Sequence, residues 1–194
     1  MAYTVHGAVR SRAFRVLWML EELGEAYRHV PSAPQSEEIR AVSPAGKVPV
    51  LEVDGTCIRD SAAILTFLAD RHGRFTAPAG TVERALQDAM TFRVLDEIET
   101  PLWFATRHTF VLMPEDRVPE VKATCRSDFA RAVEALFAEV TGPFLMGEAL
   151  TVPDFILGHC GGWAHTANFP EPIPAFAEYL DRLRNRPAFQ KALG

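Results

Sequence analysis

Two short segments of this chain carry residues whose types and spacing could bind a peptide. Residues 47–51 look like a strand but contain Pro49, which removes a ladder donor and makes the Val48–Pro49 bond a candidate cis bond. The next helix opens with Asp60-Ser61, and its hydroxyl and free N–H groups suit a carboxylate. We therefore expect an extended peptide, held by its backbone and its acidic end. The alternative is a plain edge strand before an ordinary capped helix, and these residues alone leave both open.

The composition indicates a globular protein. The 194 residues are 48% hydrophobic and 23% charged, which excludes a disordered chain and allows one ordinary domain or two small ones. A net charge of -5 argues against a nucleic-acid partner. No apolar run reaches the roughly 20 residues of a membrane span, and the N-terminal segment is too polar for a signal peptide.

The cysteines point to a reducing compartment. Cys57, Cys125 and Cys160 are odd in number and widely spaced, so they predict neither a disulfide framework nor a C-x-x-C redox or zinc motif. We expect no metal and a cytoplasmic location.

Strands and helices alternate in the first part of the chain and would position both motifs. Asp54-Gly55 is a strong hairpin signal, and residues 32–44 are expected to form a loop with about one helical turn. The predicted order is βαβ and then ββα, with strands at residues 3–6, 27–30, 48–53 and 56–59 and helices at residues 12–23 and 61–72.

Helical periodicity dominates after a predicted linker at residues 75–80. A helix from about Val82 must bend or break at Thr100-Pro101. Thr151 and Asp154 form a capping box with Asp in place of Glu. Three further helices are predicted. The first spans residues 121–140, the second begins at the capping box, and the third ends near Pro187.

Several segments resemble the cytosolic glutathione transferase family, in its bacterial type with a serine-like N-terminal motif. Residues 11–24 resemble the first helix of that family, and residues 43–51, Asp60-Ser61 and residues 151–154 match three further segments in the family's order. Residues 179–183 and 186–189 match its closing segment. The resemblance implies a thioredoxin-like α/β domain at residues 1–77, an all-α domain at residues 83–194, and a homodimer.

The resemblance also assigns a glutathione site. Val48, before a cis Pro49, would pair its backbone with the cysteinyl part of glutathione. Ser61 would hold the γ-glutamyl carboxylate through its hydroxyl and N–H groups. Asp60 stands where the family usually has Glu or Gln and would face the ligand's amino group. Lys47 would meet the glycyl carboxylate.

Ser11 is the candidate catalytic residue that the resemblance implies. In this family a Tyr, Ser or Cys near the start of the first helix meets the glutathione sulfur, and Tyr3 lies too early in the chain. Arg12 falls where some bacterial members keep a cysteine, which argues against a mixed disulfide with the protein's own thiol. The alternative role of Ser11 is a helix N-cap, and the two roles can coexist. The protein would stabilise a thiolate that glutathione supplies.

The implied function is conjugation of the glutathione thiolate to a hydrophobic electrophile. The electrophile pocket is expected between the domains, and nothing in the sequence identifies the electrophile. A glutathione-dependent disulfide reductase or peroxidase is an alternative, and so is a non-catalytic interaction protein of the same fold. The candidate pocket residues are Trp103, Phe104, Arg107 and His108.

Overall fold

A four-stranded mixed sheet lies at the centre of the N-terminal part of the chain. In the computed structural model, which describes residues 2–194, its strand order is β2-β1-β3-β4. Strand β1 runs parallel to β2 and antiparallel to β3, and β3 pairs antiparallel with β4. The strands are β1 (Tyr3–His6), β2 (Tyr27–Val30), β3 (Val50–Val53) and β4 (Thr56–Arg59).

Three helices accompany the sheet: α1 (Ala13–Leu23), α2 (Glu37–Val42) and α3 (Ser61–His72). Apolar residues of α1 and α3 recur at helical spacing and are fully buried, including Leu17, Leu20 and Leu65. Each of these two helices ends at a glycine with positive φ, 76° at Gly24 and 60° at Gly73, where an L side chain would be strained.

The rest of the chain is helical. A nearly continuous helical stretch contains α4 (Val82–Arg93), a π-helical turn at Val94–Glu99, α5 (Thr100–Thr106) and a second π-helical segment at Arg107–Val111. It is followed by α6 (Val121–Phe137), α7 (Val152–Thr166), α8 (Pro174–Arg184) and α9 (Pro187–Leu193). The predicted fold class, a thioredoxin-like α/β part followed by a helical part, is confirmed. None of the helices within residues 2–194 is long and apolar enough to cross a membrane.

At Thr100-Pro101, where a bend or break was predicted, the helical stretch is not interrupted but changes helix type. Pro101 has no N–H to donate to the preceding turn, and the π-helical turn Val94–Glu99 lies directly before it. The hydroxyl of Thr100 donates to the carbonyl of Leu95 at 3.1 Å. The helical stretch therefore continues past the proline.

The capping box at the start of α7 holds a buried carboxylate. Asp154 is fully buried, and its oxygens accept from the Thr151 N–H, the Thr151 hydroxyl, the Leu145 N–H and the Tyr179 hydroxyl, each at 2.8 Å. Burial raises the pKa of Asp154, and the four hydrogen bonds partly offset that rise. Leu150 and Phe155 are also buried, and they stand at the two positions on either side of the N-cap that form a hydrophobic staple in many helices.

The chain divides into two compact units. One contains the residues up to Arg84 together with Arg184–Gly194, and the other contains Ala85–Leu183. The predicted division had placed all of residues 83–194 in the helical domain. The difference arises because α9 packs on α1: Arg186 forms two hydrogen bonds to Glu22, at 2.5 and 2.8 Å, and Phe189 contacts aromatic rings of α1.

Candidate functional site

The backbone beside Pro49 is open to an extended ligand. The Val48–Pro49 peptide bond is cis, as the residue pattern predicts. Within residues 2–194 neither the N–H nor the C=O of Val48 forms a hydrogen bond, because β3 begins only at Val50. Its donor and acceptor can therefore pair with the backbone of another peptide.

Only one N–H group at the start of α3 remains to be satisfied. Asp60 caps this helix: its Oδ1 accepts from the N–H groups of Ala62 and Ala63, at 2.9 and 3.1 Å. The N–H of Ile64 donates to the carbonyl of Asp60 at 3.0 Å. Among the first four residues of α3, only Ser61 has an N–H with no acceptor within residues 2–194. A carboxylate at this position would meet that group and the positive end of the helix dipole.

The backbone of Asp60 has an unusual conformation, and one oxygen of its carboxylate is available to a ligand. Asp60 has a φ of 75° and a ψ of 125°, a combination that lies outside the left-handed helical region and that L residues rarely adopt. Because Oδ1 is used in capping, Oδ2 is the oxygen left for a ligand ammonium group. Asp60 thus has a structural role as the cap of α3, and its ligand role stays a prediction.

Ser61 contacts a buried arginine from the first helix. Nη1 of Arg15 donates to Oγ of Ser61 at 3.0 Å, and the two residues are 0% and 3% exposed. Arg15 lies on α1, 46 positions earlier in the chain. No pattern of adjacent residues could have revealed this pair, because it depends on the packing of α1 against α3.

The loop between β1 and α1 carries Ser11 close to Val48. A Cβ added to Gly7 would lie 3.0 Å from Val48 Cβ, 3.5 Å from Ser11 Oγ and 2.9 Å from Ala13 Cβ. Gly7 also has a φ of 130°, which L side chains rarely adopt. Only a glycine fits at this point, and it lets two predicted site residues approach each other.

Ser11 already uses its hydroxyl proton. Oγ donates to the carbonyl of Ala8 at 2.7 Å and accepts from the N–H of Ala13 at 3.1 Å. The second contact resembles a capping bond, although Arg12 and not Ser11 occupies the N-cap position of helix α1, which begins at Ala13. To stabilise a thiolate, the hydroxyl must turn its one proton from Ala8 to the sulfur.

Lys47 is exposed and forms no ion pair within residues 2–194. The loop that holds it is fixed from the opposite side by Gln35, whose N–H donates to the Gly46 carbonyl at 2.8 Å and whose side-chain amide donates to the Ala45 carbonyl at 3.1 Å. These two hydrogen bonds restrain the turn that directly precedes Lys47.

The four predicted pocket residues lie together on the stretch from α5 into the second π-helical segment. Phe104 is 42% exposed, Trp103 is half-buried, and the Arg107 guanidinium lies 5.9 Å from the Phe104 ring centroid. Nδ1 of His108 accepts from the Val118 N–H at 3.0 Å, so the proton of its neutral ring is on Nε2. They offer aromatic surface and two polar donors. Within residues 2–194 no cluster of His, Cys, Asp and Glu side chains has the arrangement of a metal site.

One protein family and several curated proteins are similar to this chain in sequence. Residues 10–71 match the family described as "Glutathione S-transferase, N-terminal domain". The chain is 37% identical to maleylacetoacetate isomerase of Rhizobium meliloti (strain 1021) over 94 residues, which are 45% of this chain and 44% of that protein. It is 31% identical to elongation factor 1-gamma of Trypanosoma cruzi over 156 residues, 77% of this chain and 36% of that protein. The chain thus covers less than half the length of these two curated relatives.

Solved structures agree with the fold. BphK, a bacterial glutathione transferase solved as a ternary complex, has a TM-score of 0.88 at 22% identity, and the match covers 98% of this chain and 97% of that chain. A theta class glutathione S-transferase from Xanthomonas axonopodis pv. citri, solved with glutathione bound, has a TM-score of 0.77 at 25% identity, with 98% and 96% covered.

The chain thus has the glutathione transferase fold, and its residues 10–71 match the N-terminal domain of that family, which confirms the resemblance drawn from the sequence.

Proposed function

We propose that this protein binds glutathione in its N-terminal unit and transfers the thiolate of glutathione to a hydrophobic electrophile. The observation that carries the proposal is the start of α3, where the N–H of Ser61 is the group left for a carboxylate. The unpaired backbone of Val48, beside the cis peptide bond, supports it by offering partners to the cysteinyl residue. Lys47 would bind the glycyl carboxylate and Oδ2 of Asp60 the ammonium group.

The chemistry depends on the ionisation of the bound thiol. A free thiol with a pKa near 8.5 is only about 3% ionised at pH 7. A hydrogen bond to a charged group is worth about 1.5–3 kcal/mol, enough to lower that pKa by about one to two units. Ser11 would supply this bond after its hydroxyl leaves the carbonyl of Ala8. The protein then stabilises a nucleophile that glutathione itself brings.

The electrophile would meet residues of the helical unit. Trp103 and Phe104 offer aromatic surface to an apolar substrate, and Arg107 and His108 offer donors to an acidic or polar substituent. A cytoplasmic homodimer completes the proposal. The exposed apolar residues of α4 support the dimer.

A second candidate is a glutathione-binding protein without turnover. The hydroxyl proton of Ser11 is donated to Ala8 at 2.7 Å, which favours a purely capping role for this serine. The chain is 31% identical to elongation factor 1-gamma, and the name of that protein describes a factor and not an enzyme. This candidate keeps the glutathione site and lacks only the activated thiolate.

The substitution Ser61→Ala tests the site. Losing a hydrogen bond to a charged carboxylate should raise the dissociation constant for glutathione roughly ten-fold to a hundred-fold, measured by isothermal titration calorimetry. Ser36→Ala is the matched control, because Ser36 also caps a helix of the same unit, through the N–H of Ile39. An unchanged constant in Ser61→Ala would move the peptide site elsewhere.

Turnover assays separate the activities. Glutathione is supplied with an aryl halide, with hydroxyethyl disulfide or with a hydroperoxide, and we expect the aryl halide to react. Reaction with only the disulfide or hydroperoxide would favour the reductase or peroxidase alternative. Glutathione binding without turnover of any of the three would favour the non-catalytic candidate, and absence of binding would overturn both candidates.

A further inference from the structure

Arg15 is a fully buried cation next to the proposed carboxylate site. Its exposed fraction is 0%, and Nη1 donates to Oγ of Ser61 at 3.0 Å. Arginine is rarely buried so completely, because removing its charge from water is costly. A buried cation of this kind is therefore expected to be held by specific contacts, and the bond to Ser61 is one of them.

The chemistry of the two groups determines the direction of their hydrogen bond. A guanidinium group has only donors, whereas a serine hydroxyl has one proton and two lone pairs. Arg15 therefore donates to a lone pair of Ser61 Oγ, and the hydroxyl proton of Ser61 must point to a different acceptor. No residue within 2–194 accepts that proton, just as none accepts the Ser61 N–H.

We propose that Arg15 is a positioning residue, which orients the Ser61 hydroxyl as a donor toward the γ-glutamyl carboxylate and adds positive potential behind it. This inference rests on the proposed glutathione site. Both groups that Ser61 presents are then donors, so the site suits a group that only accepts. It should favour a carboxylate over a carboxamide or over a ligand that lacks the group.

The electrostatic part follows from burial. A charge that is shielded from solvent is screened by salt much less than an exposed one. Arg15 should therefore strengthen the attraction of the α3 N-terminus for an anion even at physiological salt. The preference for the carboxylate is expected to persist when the salt concentration is raised.

The test compares two ligands on several variants. One ligand is glutathione, and the other is 4-aminobutyryl-cysteinyl-glycine, which lacks only the γ-glutamyl α-carboxylate. Arg15→Gln should weaken glutathione binding about ten-fold or more, as expected for a lost charge-assisted bond, and analogue binding by less than about two-fold. Arg15→Lys, which keeps the charge, should recover part of the glutathione affinity. In the Ser61→Ala background, Arg15→Gln should weaken glutathione binding by a smaller factor than in the unmodified protein, because the orienting role is already lost and only the electrostatic contribution remains.

The control for charge is Arg28→Gln. Arg28 is an exposed residue of β2 whose Nε lies 3.5 Å from Thr4 Oγ1, and its loss should change the affinity of both ligands by less than about two-fold. Equal weakening of both ligands by Arg15→Gln would show a merely structural role and overturn the inference. An unchanged affinity for glutathione would overturn it as well.

A measurement on the unmodified protein covers the case in which the Arg15 variants do not fold. With ¹⁵N-labelled arginine, the guanidinium resonance of Arg15 should shift when glutathione is added and stay in place with the analogue. The same shift with both ligands, or with neither, would overturn the inference. If the unmodified protein binds no glutathione, the proposed function fails before Arg15 is tested, so the two failures are distinct.

Discussion

At the scale of single residues, Ser11 separates binding from catalysis. The binding groups at Val48 and Ser61 are already free to meet a ligand, whereas the Ser11 hydroxyl is bonded to Ala8 and Ala13. A hydroxyl has one proton, so it can serve either the carbonyl of Ala8 or a thiolate. Rotation about one bond decides between the two states.

We expect Ser11→Ala to raise the pKa of the bound glutathione thiol by about one to two units, because a donor to the sulfur is lost. The rate at pH 7 should then fall roughly ten-fold or more, while the affinity for glutathione changes little. A titration of thiolate absorbance with glutathione bound measures this shift.

The competing outcome for Ser11 is equally specific. If the serine only caps, the variant should lose about 1 kcal/mol of stability and keep its pH–rate profile. An unshifted absorbance curve would show that other donors activate the thiol. Ser36→Ala, which removes a capping hydroxyl from α2, shows how much stability a cap in this unit provides.

At the scale of elements, local rules predicted most of the N-terminal unit. Strands β1, β2 and β4 and helix α3 have the predicted bounds, because alternation, the Asp54-Gly55 turn and the glycine stops are all local signals. Asp54 and Gly55 both have positive φ, at 50° and 77°, as the tightest hairpin turns require. Strand β3 is shorter than predicted, because the ladder begins only after Pro49.

Other elements depended on contacts that the sequence pattern does not display. Helix α2 has six residues and one fully buried apolar residue, Ile39, too little for a periodic signal. Helix α9 was not predicted as a separate helix, since it is defined by docking on α1 through Phe189 and Arg186. The long helix was expected to reach Val140 but ends at Phe137, and residues beyond it are only half-buried or exposed.

Helix α4 has exposed apolar side chains that support the proposed homodimer. Val82, Leu86 and Phe92 are 71%, 59% and 66% exposed, and grouped exposed apolar side chains are typical of protein–protein contacts. We expect sedimentation at micromolar concentration to show a species of twice 21.5 kDa. Leu86→Glu should shift the equilibrium toward monomer, and Glu83→Gln on the same helix is the control. A 21.5 kDa species in the unmodified protein would contradict the homodimer.

At the scale of the whole molecule, the site could be predicted only in part. Pro49 and Asp60-Ser61 were visible because each is a short motif with its own backbone chemistry. Arg15 and Gly7 were not, since their roles arise where α1, α3 and the β1–α1 loop meet. Contacts between distant segments are set by packing, and one sequence does not encode them as a readable pattern.

The last prediction concerns all three tyrosines, which lie in both units. Burial is the main reason why the pKa values of Tyr3, Tyr27 and Tyr179 are raised. Tyr27 and Tyr179 also donate to carboxylates, of Glu21 at 2.7 Å and of Asp154 at 2.8 Å, which opposes their ionisation further. The folded chain therefore binds these protons more tightly than the unfolded chain, in which tyrosine titrates near pH 10.

The direction in which stability changes with pH follows from this difference in proton binding. The stabilising contribution is complete below about pH 10 and is lost as the pH rises through the folded-state pKa values, so the free energy of unfolding should fall with pH above about 10. Each tyrosine contributes up to about 1.4 kcal/mol per pH unit in that interval. Denaturant titrations from pH 8 to 11 measure this fall in the free energy of unfolding, and tyrosinate absorbance is recorded in parallel. Tyr179→Phe should make the decline shallower, which separates the contribution of the tyrosines from that of other groups. Tyrosinate absorbance that appears near pH 10 while the protein remains folded would contradict the prediction.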